Sequence, residues 1–126
     1  MTPATLCPDD DIIRPTHVVV DLAQLAANLT AVRQHVGKTK VMAIVKANAY
    51  GHGLVRVATH LMAEGADYLG VALYEEGILL REAGITAPIL VMGGIASEQI
   101  PLFLKHDLTI TTSSVDKLHL IDQAAA

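Results

Sequence analysis

Four short apolar runs recur at an even pace along this chain, each followed by a stretch with helical periodicity. The runs are Val41 to Val45, Tyr68 to Leu73, Ile89 to Met92 and Leu108 to Thr111. Such alternation implies βαβ crossovers and a parallel sheet, because two parallel strands need a long connection between them and a helix supplies it. The reading is therefore an α/β fold. A doubly wound open sheet and a segment of a closed barrel both satisfy this pattern. Val41 to Val45, apolar throughout, fits a strand covered on both faces.

Helix signals fill the gaps. After a leader to about Pro15 and a short extended segment from Thr16 to Val20, Asp21 is a good N-cap, and Leu22, Leu25, Leu29, Val32 and Val36 follow at steps of three and four. Gly37 supplies the stop. A second helix spans Leu54 to Glu64 with Leu54, Val57, Ala58, Leu61 and Met62 on one face, and Gly65 closes it. Glu75 and Glu76 favour the N-terminal dipole of a third helix ending near Gly84. Gly93 and Gly94 make the loop after the third strand. Ser97 is an expected N-cap, and Pro101 fits only in or near a first turn. Ser113 with Asp116 makes a capping box for a last helix through Val115, Leu118 and Ile121.

Composition excludes several function classes. Of 126 residues, 52% are hydrophobic and only 3% aromatic, enough for an aliphatic core and too many for disorder. The net charge is -4, and the 9 Lys and Arg residues form no basic stripe, so nucleic-acid binding has no support. The apolar runs are far below the roughly 20 residues of a membrane span, and the first residues lack the pattern of a secretory signal. The expectation is a cytoplasmic protein. Cys7 alone makes no intramolecular disulfide.

The first strand ends on Lys46, and the sequence continues Ala47-Asn48-Ala49-Tyr50-Gly51-His52-Gly53. Ligands of parallel α/β sheets sit at this end of the strands. Low-dielectric surroundings favour a neutral amine, the form that attacks an aldehyde such as that of pyridoxal phosphate. On position alone, Lys46 reads first as a rim lysine that turns its charge into water, and the motif it opens is what favours the other reading.

The string KANAYGHG resembles the cofactor-lysine motif of the alanine racemases, pyridoxal-phosphate enzymes that interconvert L- and D-alanine and supply D-alanine for the cell wall. The resemblance extends from Arg14 onward, through Val20-Asp21-Leu22, Gly70-Val71-Ala72 with Glu75-Glu76, Leu80-Arg81-Glu82-Ala83-Gly84-Ile85 and Ala87-Pro88-Ile89-Leu90-Val91-Met92-Gly93. His17-Val18-Val19 departs from it, since the family commonly carries an aromatic and an acidic residue there. This bears on packing and not on chemistry.

The resemblance implies an eight-stranded β/α barrel followed by a mostly β domain. Because such a barrel takes about 250 residues, residues 16–126 would be its first half, with two unpaired sheet edges and an uncovered inner face. It further implies that Lys46 binds pyridoxal phosphate as a Schiff base and serves as one of two catalytic bases. Tyr50 would help hold the cofactor phosphate, and Met92 would lie against the cofactor ring. The second base would be a tyrosine from the later β domain of the partner subunit of a homodimer, a region nothing in this chain matches. A non-catalytic protein that keeps the cofactor-lysine loop, as a binding module or a remnant, is the alternative.

Other constellations are weak. His17, His35, His60, His106 and His119 lack metal-ligand spacing, so no metal site is expected. Gly93-Gly94 is not a phosphate fingerprint, Ser113-Ser114 fits capping, and Asp9-Asp10-Asp11 fits a solvated leader. Asn48, Gly51, His52 and Gly53 read as loop-shaping residues.

Overall fold

Parallel strands pair in chain order. In a computed structural model describing residues 16–126, the elements are α1 (Leu22–Val36), β1 (Met42–Ile44), α2 (Leu54–Ala63), β2 (Tyr68–Val71), α3 (Tyr74–Glu82), β3 (Ile89–Val91), α4 (Ile100–Lys105), β4 (Thr109–Ile110) and α5 (Val115–Ala125). The sheet order is β1-β2-β3-β4, all parallel. A doubly wound sheet reverses its strand order part-way, whereas uninterrupted order is that of a barrel wall. Among the described residues, β1 and β4 each pair on one side only. The leader, with Cys7 and Asp9 to Asp11, lies outside the described residues.

One face of this sheet holds the core. Leu69 and Val71 of β2 and Ile89 and Val91 of β3 are almost wholly buried, clustered with Val57, Ala58 and Leu61 of α2, Leu80 of α3 and Phe103 of α4. Each large aliphatic side chain so buried contributes roughly 1.5–3 kcal/mol. The rings of Tyr74 and Phe103 add a tilted contact with centroids 6.0 Å apart.

The opposite face is open, and here the structure corrects the expectation that Val41 to Val45 is covered on both sides. Met42 and Ile44 are 38% and 39% exposed, and only Val45 is fully buried. A Cβ on Gly70 would meet Ile44 Cδ1 at 2.6 Å and Met42 Sδ at 3.3 Å, so these two side chains fold over the glycine instead of packing on a second layer. No helix of the described residues is long and apolar enough to cross a membrane.

Several local expectations shift. The four strands are shorter than their apolar runs, because Leu73 already serves as the N-cap of α3 and Met92 begins a loop. Ser97 does not cap α4. It opens a short 3₁₀ turn, Ser97–Gln99, with Pro101 in the first turn of α4 as expected. The last helix is capped by Ser114, whose Oγ accepts from Lys117 N at 3.4 Å, and not by Ser113 with Asp116. Val115 and Leu118 are exposed, because α5 has little but α4 beneath it.

Asp21 caps α1 as expected, accepting from Gln24 N at 2.9 Å. Val32, however, is exposed. A 3.6-residue period after Leu29 falls between positions 32 and 33, and an ion pair decides it. Arg33 Nη1 donates to Asp67 Oδ2 at 2.9 Å, and the same oxygen accepts from Val41 N at 2.8 Å. The Val41 bond first, and Arg33 second, hold the Asp67 carboxyl below its usual range. A depressed acid contributes stability above its unfolded value, about 3.9, and loses it as pH falls through the lower folded value. We therefore expect Asp67→Asn to lower stability at neutral pH, and its urea midpoint to fall less steeply than that of the unaltered chain between about pH 4 and pH 2.

At the end of the sheet where the strands begin, Arg81 bonds four backbone carbonyls. Nε donates to His106 O at 2.9 Å, Nη1 to Ile85 O and Ala87 O at 2.7 Å each, and Nη2 to Asp107 O at 2.8 Å. One guanidinium thus ties α3 to the turn before β4 and to the segment before β3. Arg81→Ala should cost about 3 kcal/mol in denaturant unfolding, with Arg81→Lys recovering only part, since one ammonium cannot span this fork.

Candidate functional site

β1 ends at Ile44, and Val45, with ψ 17°, turns the chain out of the strand so that Lys46 opens the loop at its C-terminal end. On β2 and β3 the register continues to Ala72 beside Met92 at the C-terminal rim, the same end at which Lys46 follows β1. Bonds from Met92 N to Val71 O (2.8 Å) and Gly93 N to Ala72 O (3.0 Å) hold these two strand ends together. Lys46 stands at the end of β1 and Met92 at the end of β3, with β2 between them. Both residues are half-buried, and Tyr50 is 60% exposed.

After Lys46 the backbone turns in an unexpected sense. Ala47, Asn48, Ala49 and Tyr50 all lie in the left-handed region, with φ between 52° and 56°. Such residues cost roughly 1–2 kcal/mol each when they are not glycine. Local bonds offset this: Ala49 N to Val45 O (2.8 Å), Gly51 N to Ala47 O (3.2 Å) and Gly53 N to Asn48 O (3.0 Å). Asn48 Oδ1 accepts from Leu54 N at 2.8 Å, capping α2 where Gly53 has no side chain to do so. His52 Nδ1 lies 2.9 Å from Ala49 O, which makes it part of the turn.

Sequence reasoning missed the anchor of this loop. Glu76 Oε1 accepts from Ala47 N at 2.6 Å, while Oε2 accepts from Ala72 N at 2.9 Å and Leu73 N at 3.1 Å. Its position in the first turn of α3 was visible; its reach across to the lysine loop was not. A shallow depression nearby is lined by Asn48, Gly53, Leu54, Arg56, Glu76 and Leu79, and by none of Lys46, Tyr50 and Met92. Among the described residues, no group of three or more His, Cys, Asp or Glu side chains could hold a metal ion.

The donor set suits a phosphate-bearing aldehyde. It comprises a primary amine after β1, the apolar side chains of Met42, Ile44 and Leu90 on the open face of the sheet, the thioether of Met92 after β3, and the phenol of Tyr50 four residues beyond the amine.

An uninterrupted parallel β/α wall in chain order defines a domain of the β/α-barrel class. The model of the family "Alanine racemase, N-terminal domain" matches residues 20–126, and this chain belongs to that family. It is 50% identical over 107 residues to an alanine racemase of Synechocystis sp., covering 83% of this chain and 29% of that protein. With alanine racemase 2 of Bacillus subtilis the identity is 44% over 106 residues, covering 83% and 27%. Among solved structures, alanine racemase from Oenococcus oeni superposes with a TM-score of 0.77 at 36% identity, over 83% of this chain and 30% of that one. A histidine racemase from Leuconostoc mesenteroides gives 0.76 at 26% identity, over 82% and 28%. The chain thus spans less than a third of the length of each of these relatives.

Gly93 is where the rim is tightest. A Cβ there would stand 2.4 Å from Ala72 O, a backbone atom that cannot move without breaking its bond to Gly93 N. Gly93→Ala should destabilise the fold by about 2 kcal/mol, whereas Gly94→Ala, with nothing within 4 Å of its Cβ position, should change the thermal midpoint little.

Proposed function

We propose that this chain is the N-terminal barrel half of a cytoplasmic pyridoxal-phosphate-dependent amino-acid racemase acting on alanine. What supports the reading is the KANAYGHG loop at the C-terminal end of β1, on the same rim where Met92 follows β3. Lys46 Nζ would hold the cofactor's aldehyde carbon and, once the substrate amine displaces it, take or return the α-proton. Tyr50 Oη would donate to a phosphate oxygen, and Met92 would lie against the ring. When bound, the cofactor supplies an electron sink for the pair left at the substrate Cα.

Racemisation needs a second proton carrier on the opposite face of the substrate. We assign it to a tyrosine of the β domain of a partner subunit in a homodimer, outside the residues of this chain. A second reading is a module that binds the cofactor without turning substrate over. The exposed Met42 and Ile44 favour it for the chain taken alone, since an open inner face admits water to a site that needs it excluded.

Incubation with pyridoxal phosphate, borohydride reduction and peptide mapping should give one adduct, at Lys46, that disappears in Lys46→Ala. Folded, soluble protein with no adduct at Lys46 would sink both readings. Conversion of L-alanine to D-alanine on adding the remaining racemase segment separately supports the first, and an adduct without conversion supports the second.

A further inference from the structure

Glu76 joins two backbones that flank the proposed cofactor lysine. Ala47, which donates to Oε1 at 2.6 Å, is the residue after Lys46 and the first of the left-handed turn. Ala72, which donates to Oε2 at 2.9 Å, follows the end of β2, the strand paired with β1. The side chain is half-buried and is itself fixed in the first turn of α3, where Oε2 also receives Leu73 N. The bonds within the turn do not use the Ala47 N–H. Val45 N, just before Lys46, bonds Gly70 O of β2 at 2.8 Å, and Glu76 is the side chain that ties the start of the strained turn to the segment after that strand.

We propose that Glu76 is a positioning residue. Its carboxylate clamps the Lys46 loop against the β2–α3 loop and thereby sets where the Lys46 amine stands on the rim. This rests on the Schiff-base reading of Lys46. The carboxylate form is required, because only a group that accepts on both oxygens serves donors on both sides. A glutamine turns its NH₂ toward one of them, and an aspartate is one methylene too short to bridge.

The test compares the 126-residue chain with Glu76→Gln and Glu76→Asp in two measurements. The first is amide hydrogen exchange without cofactor. Both variants should exchange about tenfold faster at Ala47 and Ala72, with the buried amides of Val57 to Leu61 within about twofold of the unaltered chain, which shows that the fold persists. The second is the rate of pyridoxal phosphate capture at Lys46, trapped by borohydride, which should fall about tenfold in both variants. Unchanged exchange at Ala47 overturns the clamp. Faster exchange with unaltered capture overturns the positioning role and leaves Glu76 a helix cap. No Lys46 adduct in the unaltered chain overturns the Schiff-base reading and the positioning role with it, while the exchange data still report whether the clamp exists.

Discussion

Parallel pairing is the constraint on which the rest of this structure depends. Because all four strands run the same way and pair in chain order, their C-terminal ends meet on one rim, and the loops after them become neighbours. Lys46 and Met92, with two helices between them in the sequence, follow β1 and β3 at the same end of the sheet. The same geometry sends Arg81 to the opposite end, where it gathers four carbonyls and no candidate chemistry.

The two faces of the sheet divide the work. The outer face buries Leu69, Val71, Ile89 and Val91 under helices and supplies the hydrophobic stabilisation. The inner face carries Met42, Ile44, Tyr68, Leu90 and Thr109, and its interior order comes partly from Tyr68 Oη bonding Thr109 Oγ1 at 2.5 Å across β3. In a closed barrel an inner face packs against the strands opposite.

Local backbone chemistry governs the lysine loop. Four successive left-handed residues, only the last of them bulky, are held by bonds to Val45, Asn48 and Glu76. Glycines at 51 and 53 announced a turn, yet nothing in Ala47-Asn48-Ala49 announced its hand. That hand follows from what surrounds it, since Asn48 must reach back to cap α2 and Ala47 must face Glu76. Similar reasons explain the shifts elsewhere: Val32 lost its buried place to Arg33 because Asp67 lay within reach, and Ser114 displaced Ser113 as cap because α5 begins one residue later.

By itself the sequence determined the α/β alternation, the buried stripe of α2, the Asp21 cap, the parallel sheet and the loop that identifies the family. These follow from side-chain periodicity and short motifs, which act between residues close in the chain. Only the tertiary structure decided which face of β1 is covered, that Met42 and Ile44 fold over Gly70, and that Glu76 bridges to Ala47. Those are contacts between residues 26 or more positions apart, and they depend on strand register and helix placement that no local pattern encodes.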